Sequence, residues 1–117
     1  MISIKIKKGN MNVCFDAPTN ILYDRLAFVG VNDIPISGTD EATVKIYTWD
    51  DEKLSDMIKE RLLDSDKISE VNTMCGKVTY LRPSDEKALI ERLESEDVRS
   101  AAQMNSVVDE MGLETCK

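Results

Sequence analysis

The side chains of this chain that could do chemistry are carboxylates and three cysteines. Acidic runs recur at Asp40-Glu41, Asp50-Asp51-Glu52, Asp85-Glu86 and Glu96-Asp97. Neighbouring carboxylates are the raw material of magnesium and calcium sites and of glycosidase acid–base pairs. None of these runs has EF-hand spacing. The chain has no histidine, so no Ser-His or Cys-His nucleophile can be assembled. Cys14, Cys75 and Cys116 lie far apart in no close-spaced ligand pair, and without histidine nothing completes a zinc site. Cys14 falls in an alternating segment and Cys75 on an apolar stripe, which gives both structural roles. The five glycines are too dispersed for a phosphate-binding loop. These patterns point to a protein that is not an enzyme and carries no cofactor and no metal. The odd cysteine number fits reduced thiols and a cytoplasmic location, with an intermolecular disulfide through Cys116 as the alternative.

What remains is charge. The 117 residues carry 22 acidic and 15 basic side chains, net −7. Nine acids and four basic residues fall in 37–66, and nine acids and four basic residues in 83–117, so each block nets −5. The first 36 residues net +1 and 67–82 nets +2. Acidic blocks repel nucleic acid, or they imitate it and occupy a protein that binds it. Lys5, Lys7 and Lys8 cluster near the N-terminus but have few aromatic neighbours and no further basic stripe in sequence. The expectation is therefore no direct nucleic acid binding.

The elements that must position these charges are legible in the periodicities. Ile2, Ile4 and Ile6 alternate with polar residues, Lys8-Gly9-Asn10 has turn chemistry, and Met11, Val13 and Phe15 alternate again. This predicts a β-hairpin. Asp16-Ala17-Pro18-Thr19 predicts a helix start over 17–29, with Pro18 in the first turn and Asp16 or Thr19 as cap. Gly30 is its stop, and 31–41 reads as loop. The β-branched and aromatic run from Ala42 to Trp49 predicts a third strand, paired with the hairpin.

From Asp50 onward the pattern is helical. Asp50-Asp51-Glu52 would load the first turn of a helix with buried stripe Leu54, Met57, Ile58 and Leu62. Ile68, Val71, Cys75 and Val78 form a second stripe, with Gly76 mid-helix as a point of close packing or a kink. Pro83 to Glu86 opens a third helix around Leu89, Ile90 and Leu93. Ser95-Glu96-Asp97 is read as opening a fourth, with Ala101, Met104, Val108 and Met111 inward and Gly112 as stop. The expected fold is α+β: a small antiparallel three-stranded sheet with one packed helix, then a compact cluster of about four short helices. The chain reads as a single domain over 1–117, with a β-β-α-β part (1–49) and a helical part (50–117). No apolar run approaches the roughly 18 residues of a membrane span, and no secretion signal is read at the N-terminus.

On these helices Glu52, Asp56 and Glu60 are one turn apart, and Glu91 and Glu94 share a side near Asp85 and Glu86. Such rows space carboxylates by roughly 5–6 Å, comparable to charges along a DNA strand. The plain alternative is helix capping and a solvated exterior, neutralised by Lys53, Lys59, Arg61, Lys87 and Arg92. The candidate working surface is Asp50, Asp51, Glu52, Asp56, Glu60, Asp64, Asp85, Glu86, Glu91, Glu94, Glu96 and Asp97.

The stretch Val13-Cys-Phe-Asp-Ala-Pro-Thr-Asn-Ile-Leu-Tyr-Asp-Arg-Leu-Ala-Phe-Val-Gly-Val resembles the opening of the ArdA-like antirestriction proteins of Gram-positive mobile elements. Those begin with a strand, a Pro-Thr helix start, a Leu-x-x-x-Leu helix and a Gly-Val exit. The stretch Ile68 to Leu81 is similar to their Leu-Asn-x-Leu-Ala-x-x-Leu segment, with Val71, Asn72, Met74, Cys75 and Val78 at matching places. An acidic helix and a short helix ending near 105–111 follow in the same order. The resemblance spans 13–111 and covers the family's N-terminal module only. It implies a protein of a phage or mobile element that is laid out in charge like bent duplex DNA. Such a protein occupies the DNA-binding groove of a type I restriction–modification enzyme. A CRISPR effector nuclease with a basic groove is the alternative target, and a non-catalytic adaptor module the alternative role. A homodimer is part of the family expectation, and membrane association is not.

Overall fold

The computed structural model describes residues 2–48, 53–79 and 81–112. β1 (Ile2–Lys8) and β2 (Met11–Ala17) form the hairpin, and β3 (Ala42–Thr48) pairs with the other edge of β1. Both pairings are antiparallel, in the order β2-β1-β3. The register aligns Ile4 with Phe15 and Ile46, and Ile6 with Val13 and Val44. Successive side chains point to opposite faces, so the isoleucines of β1 all enter the core. The other face carries Lys5, Lys7, Asn12, Cys14, Thr43, Lys45 and Tyr47, all exposed. Trp49 lies outside the described residues.

The described residues form five helices, α1 (Leu22–Phe28) between β2 and β3, then α2 (Lys53–Arg61), α3 (Ile68–Val78), α4 (Pro83–Ser95) and α5 (Ala101–Met111), an α+β order. α1 and α3 pack on β2 and α2 on β3; α4 then packs on α2 and α5 on α3. The expected stripes are the ones that are buried. Leu54, Met57 and Ile58 of α2, the four α3 stripe residues together with Met74, Leu89 and Leu93 of α4, and Ala101, Met104 and Val108 of α5 join one cluster with the sheet residues, and Leu62, Ile90 and Met111 pack partly buried against it. No described helix is long and apolar enough to cross a membrane.

Two helix starts differ from expectation. α1 begins at Leu22, not near Pro18, because β2 stays in register with β1 through the Ile2–Ala17 pair. Asp16 therefore belongs to the sheet, where its carboxylate accepts a 2.6 Å hydrogen bond from the Ser3 hydroxyl. The Ala17–Pro18 bond is cis, and α1 has no side-chain cap. The helix expected to open at Ser95 instead closes there. The Glu96 N–H donates to the Arg92 carbonyl and Glu96 itself is extended. Val98 turns into the core, and α5 starts after Ser100, whose hydroxyl accepts from the Gln103 N–H. Ser100 and Gln103 have the spacing of a capping box.

The loop 31–41 is tied down along its length. Pro35 bridges to Lys67, the Ile68 N–H donates to the Ile34 carbonyl, and the Ile36 N–H donates to the Asp66 carbonyl. Gly38 closes it with φ +83°, and a Cβ there would sit 2.6 Å from the Ala42 carbonyl oxygen. Only glycine fits that approach. Gly76 is a different case: an added Cβ would meet Pro18 at 3.7 Å, ordinary contact distance.

Candidate functional site

The structure sorts the acids into those that hold the fold together and those that face outward. Asp33 and Asp66 are structural. The carboxylate of Asp33 accepts from both the N–H and the hydroxyl of Ser69 in the first turn of α3. It caps a helix that has no cap of its own. Asp66 is buried, and its Oδ2 accepts from the Leu63 N–H at 2.8 Å and the Ala101 N–H at 3.0 Å. One oxygen thus joins the exit of α2 to the first residue of α5, where the helix dipole favours a negative charge.

Of the twelve acids of the expected working surface, Asp50, Asp51 and Glu52 lie outside the described residues. Asp56 and Glu60 are exposed on the outer side of α2, opposite its buried stripe. Glu91 and Glu94 are exposed on α4, opposite Leu89 and Leu93. The two rows meet. Lys53 of α2 donates to Glu94 at 2.8 Å, and Arg61 of α2 donates to the Leu93 carbonyl at 2.8 Å, so α2 crosses the C-terminal end of α4. Asp97 is tied toward the C-terminal end of α2 through Arg99, which binds Asp97 at 2.8 Å and the Glu60 carbonyl at 3.4 Å.

The remaining acids are not brought to this crossing. Asp85 and Glu86 sit half-buried in the first turn of α4, about 13 Å from Glu94 at 1.5 Å per residue. Asp64 is exposed in the loop after α2. Glu96 is instead paired with Arg92 of α4. Its Oε1 lies 3.0 Å from Arg92 Nε, while Arg92 Nη2 reaches Glu110 at 3.3 Å. The carboxylates of Glu96 and then Glu110 push the Arg92 pKa further up.

The candidate site is therefore the set of exposed acids on two contacting helices, Asp56 and Glu60 of α2 and Glu91 and Glu94 of α4, with Asp97 just beyond α4, referred to below as the acidic ridge. Glu94 and Asp97 are ion-paired; Glu60 and Glu91 have no ion pair among the described residues, and Asp56 accepts only from the Thr48 hydroxyl at 2.6 Å. The Lys53–Glu94 pair is more than half exposed on both sides, which makes it worth at most about 1 kcal/mol. A basic partner can exchange it at little cost. Among the described residues no group of three or more His, Cys, Asp or Glu is placed to hold a metal ion.

One charged surface was missed by sequence reasoning. Lys45 of β3 pairs directly with Lys5 of β1, and Lys7 follows on the same face. The open sheet face is thus basic, while the acidic ridge lies in the helical layer on the sheet's covered side. The only sequence signal was the alternation that places Lys45 opposite in phase to Val44 and Ile46.

The polar residues that carry the family resemblance also come together. Asn72 of α3 accepts from the Thr19 N–H at 2.7 Å and donates to the Thr19 carbonyl at 2.9 Å. Pro18 lies against Gly76 beside this latch. These positions fasten α3 to the β2–α1 connection and are remote from the ridge in role. Among known proteins, no family model, no curated protein and no solved structure matches this chain.

Proposed function

We propose that the protein is a non-catalytic inhibitor of the antirestriction kind. Its acidic ridge stands in for a short stretch of DNA and occupies the basic DNA-binding groove of a host defence enzyme, a type I restriction–modification enzyme. Such a target places its action in the cytoplasm. The observation that carries this reading is the Lys53–Glu94 contact at 2.8 Å. It joins α2 to α4, the two helices that carry Asp56, Glu60, Glu91 and Glu94. Carboxylates on packed helices attract a basic groove over the range of screened electrostatics.

The ridge is modest in charge. Its five acids are offset by Lys53, Lys59 and Arg99, so its strength lies in placement and in the ease with which exposed pairs exchange. The test is cleavage of unmodified DNA by a purified type I enzyme, titrated with the protein. Glu60→Lys/Glu91→Lys and Asp24→Lys/Asp40→Lys change the net charge equally, but only the first pair lies on the ridge. Inhibition should weaken at least ~10-fold for the ridge pair and stay near wild type for the other, as lost charge complementarity at a groove predicts. Equal inhibition by the two variants would remove the ridge from the function.

A further inference from the structure

We propose that the open face of the sheet binds a compact polyphosphate anion in the groove between Lys5, Lys7 and Lys45. In a chain with 22 carboxylates, these three ammonium groups have no acidic partner among the described residues. Lys5 and Lys45 stand directly opposite each other across β1 and β3. Like charges so placed destabilise a sheet, and Thr43, directly opposite Lys7, shows that an uncharged side chain fits this face. The three lysines, Thr43, Gly9 and Glu41 line an open groove of about 520 Å³ on the sheet face.

The spacing suits linked phosphates. Lys5 and Lys7 project from one face about 6.6–6.8 Å apart along the strand. The Lys5 and Lys45 Cβ atoms are about 4.5–5.5 Å apart across it. The Thr43 hydroxyl beside Lys7 adds a neutral donor. The ends of the face select a short anion over a strand of nucleic acid. Glu41, held by Lys8 at 3.5 Å, stands at one end, and Asp16, bonded to Ser3, stands toward the other. A long polyanion would run over one of these carboxylates; a compact one sits between them. At physiological salt the field of the acidic helices beyond the sheet is damped with a length of about 8 Å.

The experiment is calorimetric titration of the whole chain with sodium tripolyphosphate at low salt. One-to-one saturable binding is expected, with orthophosphate at least ~10-fold weaker because it engages fewer lysines. Lys5→Gln/Lys45→Gln should weaken tripolyphosphate at least ~10-fold, while Lys59→Gln/Lys87→Gln, with the same change of net charge on the helices, should stay within about 2-fold. The sheet variant should also melt no lower than wild type, since it removes a like-charge pair; lost binding is then not lost folding. Equal weakening in both variants, or no saturation, overturns the proposal. So does a single-stranded oligonucleotide that binds more tightly than tripolyphosphate at equal phosphate concentration.

Discussion

Asp66→Ala is expected to be among the most damaging single changes outside the apolar core. The side chain is only 4 % exposed, and its Oδ2 is the acceptor for two backbone N–H groups, those of Leu63 and Ala101. Removing it leaves the Ala101 N–H unpaired in a buried place and the Leu63 N–H unpaired in a partly buried one. A buried donor without a partner costs about 1–3 kcal/mol, and a lost charge at a helix start about 0.3–1 kcal/mol. The sum is about 1.3–4 kcal/mol, a large part of the roughly 5–15 kcal/mol that holds a domain folded. At this chain length that is a fall in Tm of roughly 5–20 °C. Asp66→Asn keeps an oxygen acceptor in the same place and should lose only about 1 kcal/mol. Asp64→Ala, two residues earlier and exposed, should stay within about 0.5 kcal/mol. Urea and thermal unfolding of the three variants decide the matter. If Asp66→Ala and Asp64→Ala lose the same small amount, the reading of Asp66 as the link between α2 and α5 is wrong.

The latch at Asn72 makes a similar claim for the β-sheet side: Asn72→Ala breaks both bonds to Thr19 and should cost about 1–3 kcal/mol in urea unfolding. The two glycines should respond in opposite directions. Gly76→Ala has room beside Pro18 and should raise stability by about 0.5–1 kcal/mol, whereas Gly38→Ala meets a carbonyl oxygen at 2.6 Å and should lower it by more than about 1 kcal/mol. Cys75 supplies a pH dependence. Burial pushes its thiol from 9.0 up to about 12, so the unfolded chain releases this proton before the folded one. The stabilising contribution is complete below pH 9 and is lost as pH rises toward 12, with a slope of about 1.4 kcal/mol per pH unit. Cys75→Ala should flatten that alkaline slope in urea midpoints, and thiol labelling at neutral pH should reach exposed Cys14 long before buried Cys75.

Much of the fold could be read from the chain because its periodicities are undisturbed. The alternation of Ile2, Ile4 and Ile6 with Lys5 and Lys7 fixes which face of β1 is inside, and the Leu54–Met57–Ile58 and Ile68–Val71–Cys75–Val78 stripes mark the inner sides of α2 and α3. Helix starts were harder for a physical reason: several caps come from elsewhere in the chain. Asp33 caps α3 from a loop, and Asp66 serves α5 across the molecule, so no local pattern announces either. Ser95 and Ser100 both precede apolar positions, and only the insertion of Val98 into the core chooses between them. For the acids, only spacing along each helix was legible, Asp56 with Glu60 and Glu91 with Glu94; the contact between the two helices depends on Lys53 and Arg61 reaching α4. The basic sheet face was not legible, because strand pairing, not sequence proximity, brings Lys45 to Lys5.

The central claim is that the ridge takes the place of DNA. Its most direct test is displacement of a fluorescently labelled DNA duplex from a purified type I restriction–modification enzyme, followed by anisotropy. The account predicts that the protein releases the duplex, that release weakens steeply between roughly 50 and 500 mM salt as screened charge attraction requires, and that Glu60→Lys/Glu91→Lys no longer releases it. A ternary complex of enzyme, duplex and protein, or release that is indifferent to salt and to both substitutions, would contradict it.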